Sequence, residues 1–342
     1  MTPVEIQDAI LRHSLELERL AAGNQQLTLA ELRALEAELR ALITGEPLRA
    51  GEKRKIAAML RAAEEAVQAR YVTIAGITDQ GGIVAWVTQR TAEAVAGIAQ
   101  LPVATIERLA SLVDTVMIEG APSAAWWSKQ ADDTAFRFAA AIRQGVINGE
   151  TSEAIVARVV GPDGFMEVSK RNARTLVHTS VMTAANDARL AVYKKMGDNV
   201  AGVEWLATLD THTCLRCSVL DGKGWTLDGA AIGHDRPYPG SPPLHFACRC
   251  VWTPIPNRAA VDEIFPGYSA AVAANSKRVS DVGPISASEG MTGFINRLTP
   301  AQRAEMLGPG RAELWQRGKI TLSDLVSGQG QPLTMDQLRA RR

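Results

Sequence analysis

Residues 170–209, KRNARTLVHTSVMTAANDARLAVYKKMGDNVAGVEWLATL, carry the change of texture on which the fold turns. From Lys170 to Met196 the run is rich in alanine and free of proline and glycine, and Val177, Val181, Ala184, Ala188 and Val192 recur at three- and four-residue intervals. That is the period of one face of an α-helix several turns long. Gly197 supplies its stop, since a residue without Cβ enters the left-handed region where helices end. Residues 200–209 and 250–255 are then β-branched and aromatic, with a Gly- and Pro-rich stretch between them. These two runs predict the strands of a small α+β domain.

Upstream the periodicity is helical almost throughout the first 160 residues. Ile6, Ile10, Leu11, Leu15, Leu17 and Leu20 give one amphipathic run, and Leu29, Leu32, Leu35, Leu39 and Leu42 give another. Between them lie Gly23-Asn24 and a Thr28/Glu31 pair that matches a capping box, so residues 3–44 read as a helical hairpin. Further helices are expected over 52–72, 83–98, 103–118, 131–148 and 152–160, punctuated by Gly81-Gly82, Pro102, Pro122 and Gly149. Downstream, residues 257–290 have weak periodicity and read as an irregular connection. Order returns where Thr299-Pro300 opens a short helix to Leu307, followed by helical runs over 311–316 and 333–341. The fold class expected is a predominantly α-helical α+β: a helical region (residues 1–98), a central α+β domain (99–256), a linker (257–290) and a helical tail (291–342).

Composition narrows the function. Lys plus Arg equals Asp plus Glu at 37 each, so no global field draws the chain of 342 residues onto nucleic acid or an anionic membrane, and any DNA contact must be local. The first residues lack the basic start and apolar run of a secretory signal, and no apolar stretch approaches the ~20 residues that span a bilayer. A chain soluble and intracellular when made is the expectation. In a reducing compartment, closely spaced cysteines are more often metal ligands than disulfides.

All four cysteines lie between Cys214 and Cys250: Cys214-Leu-Arg-Cys217, a 27-residue spacer, then His245-Phe-Ala-Cys248-Arg249-Cys250. Two pairs of soft ligands at turn spacing can each clamp two corners of a tetrahedral zinc ion. Five candidates compete for four corners: Cys214, Cys217, His245, Cys248 and Cys250. Cys250 ranks last because an extended Cys-x-Cys differs from the turn spacing of the others. Small buried hydrophobes and a redox dithiol at Cys214/Cys217 are the alternatives. Four protein ligands would close the site and make the zinc structural. Hydrolytic chemistry has no His-Glu-x-x-His and no deaminase-type His-x-Glu to work with.

Other polar residues admit simpler readings. Asp221-Gly222 reads as a turn, His178 as a hydrogen-bonded helical histidine, and His234-Asp235-Arg236 as a solvated loop. Arg249, fixed between two cysteines, is placed to meet a partner's carboxylate or phosphate, or else an intramolecular acid. Trp205, Trp225 and Trp252 frame the cysteine region and read as packing over it.

The run Trp205-Leu-Ala-Thr-Leu-Asp210-Thr-His-Thr-Cys214-x-x-Cys217-x-x-Leu220-Asp221-Gly222-Lys-Gly-Trp225, followed by Pro242-Pro243-x-His245-x-x-Cys248-Arg249-Cys250, resembles the phage Mu F-like head-morphogenesis family. The preceding helix shares that family's texture at Thr179, Asn186, Ala188, Arg189 and Tyr193, as does the tail from Leu307 to Lys319. The resemblance implies a minor head protein of a tailed phage or prophage, non-catalytic, acting in capsid morphogenesis at the portal vertex. It implies a metal site at the Cys/His cluster and a virion location in the head near the portal, after synthesis in the host cytoplasm. The partners implied are the portal protein and the major capsid or scaffold protein, with no membrane and no small-molecule substrate. Packaged DNA, touched through Lys170, Arg171 and Arg174, is the alternative partner, and a zinc-dependent hydrolase is the reading with least support.

Overall fold

Helix α1 runs unbroken from Pro3 to Thr44 in a computed structural model that describes residues 3–45, 52–112, 116–257 and 277–341. The expected hairpin is absent. Nothing lies within 4 Å of where a Cβ on Gly23 would sit, so the glycine is tolerated on an open face. A single helical glycine costs only about 1 kcal/mol, too little to break a helix buried along its other side. Thr28 accordingly sits in the interior of α1, fully buried, and forms no capping box.

Among the described residues seven α-helices precede the first strand: α1, then α2 (Lys53–Ile77), α3 (Gln80–Val95), α4 (Val103–Ala110), α5 (Ser123–Ile147), α6 (Ser152–Val160) and α7 (Phe165–Lys195). Helix α3 starts earlier than the glycine pair suggests, because the Asp79 carboxylate accepts the Gly82 amide at 2.9 Å and caps the first turn. Helix α4 stops at Ala110, short of the expected Ile118, and residues 113–115 lie outside the described residues. Helix α6 begins where Thr151 accepts the Ala154 amide.

The chain divides into two compact units. One comprises residues 16–83 and 113–184, and its described residues are mainly helical. Its core is built from Leu32, Leu35, Leu39 and Ile43 of α1, Met59, Val67, Tyr71 and Ile74 of α2, Trp127, Phe138 and Ile142 of α5, and Ile155, Met166 and Leu176 beyond them. Gly145 admits this packing: a Cβ there would stand 2.4 Å from the Ile155 side chain. Arg70 of α2 reaches both Glu31 and Glu38 of α1.

The other unit comprises residues 1–15, 84–112 and 185–342. It contains β1 (Val200–Leu206), α8 (Leu215–Leu220), β2 (Gly224–Trp225), β3 (Ala231–Ile232) and β4 (Val251–Pro256). The sheet order is β3-β2-β1-β4, every pair antiparallel, with Trp205 opposite Trp252 and Val203 opposite Trp225. Both expected strands are present, and the order is that of a predominantly helical α+β fold. Of the expected linker, residues 258–276 lie outside the described residues. Its end forms a hairpin of β5 (Lys277–Arg278) and β6 (Ile285–Ser286). The tail holds α9 (Gly290–Arg297), α10 (Pro300–Leu307), α11 (Pro309–Gln316) and α12 (Met335–Ala340), and Thr299 closes a full capping box on α10. Among the described residues no helix is long and apolar enough to cross a membrane.

Candidate metal centre

The Cys-x-x-Cys pair sits on the first turn of α8. Cys214 is the N-cap residue, and its sulfur accepts the Cys217 amide at 3.4 Å. The approach to that turn is fixed by Thr213, whose hydroxyl donates to the Thr208 carbonyl at 2.6 Å, and by Asp210, whose carboxylate accepts the His212 amide. The second pair sits on a turn just before β4, where the Cys248 amide donates to the His245 carbonyl at 3.2 Å. Ala247 takes φ +61° there, a left-handed conformation that lets two side chains three residues apart face one way.

The two turns meet. His245 Nε2 lies 3.2 Å from Cys214 Sγ and 3.4 Å from Cys217 Sγ, and Cys217 Sγ lies 3.7 Å from Cys248 Sγ. With Zn–S near 2.3 Å and Zn–N near 2.0–2.1 Å, the edges of a tetrahedral site would be about 3.6–3.8 Å, so these separations fall within a few tenths of an ångström of the requirement. His245 Nδ1–H donates to the Phe246 carbonyl at 2.9 Å, which turns Nε2 toward the sulfurs. All four cysteines are free thiols. Cys214, Cys217 and His245 form one group of ligand atoms within 4.8 Å of one another, and Cys217, Cys248 and Cys250 form another. Cys217 belongs to both, and Cys250 stands closer to the cluster than its Cys-x-Cys spacing suggests.

As thiols and imidazole alone, these groups polarise one another. Hydrogen bonding from Cys217, opposed by burial and aided by His245, pulls Cys214 down to about 4. The Cys217 and Cys250 contacts pull Cys248 down as well. Contacts with Cys214 and Cys248 push Cys217 up, and burial pushes Cys250 up. Hydrogen bonding to the sulfurs of Cys214 and Cys248 pushes His245 up to about 11. Thiolate character at two corners is what a soft divalent cation requires, and its binding would displace the remaining protons. The donor set and its spacing fit zinc.

The supports around the cluster come from α7 and the sheet. The Asn186 side chain accepts the Trp252 amide at 3.1 Å and donates to the Cys250 carbonyl at 3.2 Å, so one amide clamps the main chain that follows the Cys-Arg-Cys turn. Trp205, Trp225 and Trp252 are fully buried and meet edge to face, with Trp205 and Trp252 centroids 5.2 Å apart. The indoles pack as the sequence implies. Arg249 is bound by both carboxylate oxygens of Asp210, one at 2.8 Å, so the intramolecular acid weighed for it is present. Asp221 does more than turn the chain. Its side chain is 2 % exposed, pairs with Arg278 at 2.8 Å, and accepts the Ala207 and Met291 amides at 2.9 Å each. Arg278 stands 57 residues downstream, beyond a stretch with no pattern, and no signal in the sequence pairs the two.

Two further expectations meet different outcomes. His178 is hydrogen-bonded on its helix, with Nε2 3.1 Å from each carboxylate oxygen of Glu18. The 234–236 loop is exposed at Asp235 and half-buried at His234 and Arg236, and the two half-buried side chains are anchored. His234 Nε2–H donates to the Gly224 carbonyl at 2.8 Å, its Nδ1 accepts the Arg236 amide, and its ring meets Trp225 edge to face. Arg236 donates to the carbonyls of Ser327 and Ser323 in the tail. The loop earns its order from backbone carbonyls, which side-chain patterning does not reveal. Lys170, the head of the basic stretch, is held by Glu36 at 2.7 Å and Glu167 at 2.6 Å.

Residues 137–253, about a third of the chain, match a family described as Phage Mu protein F like protein. The matched segment contains all five candidate ligands, Asn186, Asp210 and Asp221. It bears out the resemblance and supports a phage head-related protein. No curated protein and no solved structure matches the chain.

Proposed function

We propose that the chain is a non-catalytic minor head protein that acts at the portal vertex during capsid assembly, with zinc as a structural staple in its central region. The observation that carries the reading is the family match over 137–253 with a ligand-ready cluster inside it. Cys214, Cys217, His245 and Cys248 are the four ligands, and Cys250 is the buried reserve. Bound zinc would supply no reaction here, only a tie between the start of α8 and the turn before β4.

This chain's residues then act as a scaffold. Asp210 orients Arg249 at the rim of the stapled turn, and the part of Arg249 that reaches solvent is the contact offered to the portal or to the capsid and scaffold proteins. Residues 99–256 are the part that does this work, with the helices of 1–98 and the tail of 291–342 extending the docking surface. Packaged DNA is the less supported partner, since Lys170 is occupied by two carboxylates and the net charge is zero.

The test is metal content of protein purified without chelator, together with capture of the portal protein of the same phage. Near-stoichiometric zinc and portal capture are expected. A zinc-free, folded protein that still captures the portal would remove the staple and leave the assembly role. Failure to capture the portal, with salt-sensitive binding of duplex DNA instead, would move the role to DNA.

A further inference from the structure

We propose that the solvent-facing side of α1 between Arg19 and Ala41 is a docking surface for an acidic amphipathic helix of a partner protein. The inference stands apart from the metal centre and the family match, because it rests on a helix outside the matched segment.

Helix α1 has two apolar faces in the helical unit, and the fold uses one. Leu32, Leu35, Leu39 and Ile43 are fully buried in the core. On the other side Leu20, Leu27, Ala30, Ala34, Ala37 and Ala41 follow the alternating three- and four-residue spacing of a heptad seam, with Gly23 at the missing position. Leu20 is 43 % and Leu27 59 % exposed. A helix face meant only for water carries Lys and Glu at such positions. The seam is small-sided toward its C-terminal end, where it opens on a hollow of about 440 Å³ bordered by Ala37, Ala41 and Val160 together with Arg33, Glu36 and Arg40. Small residues let a second helix approach closely and leave the large side chains to the partner.

Charge decides the occupant. Arg19, Gln26, Arg33 and Arg40 run along one edge of the seam, seven residues apart, and all four are exposed. None of the three arginines has an ion-pair partner among the described residues. On the opposite edge Glu31 and Glu38 are already held by Arg70 of α2. A second copy of the chain would therefore meet this edge with arginines in an antiparallel pairing, or with carboxylates already taken in a parallel one. Nucleic acid would use the arginines and leave Leu20 and Leu27 wet. A helix with a large apolar seam flanked by Glu or Asp satisfies both features at once.

The probe is a designed helical peptide of about four heptads, with Leu along its seam and Glu at the flanking positions, compared with the same peptide carrying Lys there. Fluorescence anisotropy with the full chain is expected to show saturable, salt-weakened binding of the Glu peptide and at least about tenfold weaker binding of the Lys peptide. Leu27→Asp should abolish binding, and the Arg33→Glu/Arg40→Glu double variant should reverse the preference. All of these positions are exposed, and circular dichroism melts identify any variant that fails to fold. No binding of the Glu peptide, equal binding of both peptides, or indifference to Leu27→Asp would overturn the proposal. So would a wild-type dimer that Leu27→Asp dissolves, or duplex DNA binding lost in the arginine variant and kept in Leu27→Asp.

Discussion

At the scale of single residues, Cys217 is the keystone of the cluster. It is the one candidate ligand shared by both groups of close donors, it is buried, and its amide donates to the Cys214 sulfur. Cys217→Ser is expected to purify without metal and to lower the melting temperature by about 10 °C or more, since metal binding at such a site is folding free energy. Cys250→Ser should keep near-stoichiometric zinc. Equal metal loss in the two variants would put Cys250 in the coordination sphere and displace one of the other four. The clustering of the candidate ligands was legible because cysteines at turn spacing are rare and have few uses. Arg278 was not, because a buried ion pair between distant positions leaves no periodic trace. Burial raises the Asp187 carboxyl to about 6, against the pull of Ser241 and Lys194, in a site where Tyr238 is also held up by burial and by Asp187 itself. The folded chain then holds that proton more tightly than the unfolded one, whose value is 3.8. The stabilisation is complete below about pH 4 and is lost as pH rises through about 6. Asp187→Asn should therefore stabilise the protein near pH 8, by up to about 2–3 kcal/mol, and change little at pH 4. Denaturant melts at the two pH values decide it, and a gain that is the same at both would show that the Asp187 charge is not the cause.

At the scale of elements, α7 is the piece whose two ends do different work, and its inner end bears on the metal centre. Asn186 satisfies a buried amide and a buried carbonyl that the sheet leaves open at the entry to β4, and Tyr193 points its hydroxyl at the Trp252 carbonyl. Asn186→Ala removes both hydrogen bonds and strands two buried main-chain groups, which costs about 2–4 kcal/mol in denaturant unfolding. Asn186→Ala should also weaken zinc retention against a competing chelator, because the main chain after Cys250 loses its clamp. A destabilised variant with unchanged zinc retention would confine Asn186 to the sheet. The helix itself was readable from its valine and alanine period, and so were β1 and β4. The hairpin expected of α1 was not formed, because glycine and a capping pair are weak local signals and a continuous buried stripe outweighs them. Strands of two residues, such as β2 and β3, are too short to show a period; β2 forms on the edge that β1 presents, and β3 forms on β2.

At the scale of the whole molecule, the question is whether the tail is an appendage or part of the body that holds the cluster. The sequence separates it, since an unpatterned stretch precedes it and its helices are short. In the structure it falls in the same compact unit as the sheet. Phe294, Ile295 and Leu325 are fully buried, the Met291 amide is bound by Asp221, and the carbonyls of Ser323 and Ser327 are bound by Arg236 from the loop between the two ligand pairs. Three buried side chains of this size contribute roughly 5–8 kcal/mol by burial alone, comparable to the whole stability of a typical domain. A chain ending at residue 290 is therefore expected to lose cooperative unfolding of the central region as well as the tail. The full-length Arg236→Ala variant should fold, keep its zinc, and become cleavable by protease within the tail, since it cuts only the latch. A truncated chain that melts as sharply and as high as the full one would make the tail an independent addition. The metal centre would then owe its rigidity to α7 and the tryptophan layer alone, and an assembly partner could pull the tail away without disturbing the staple.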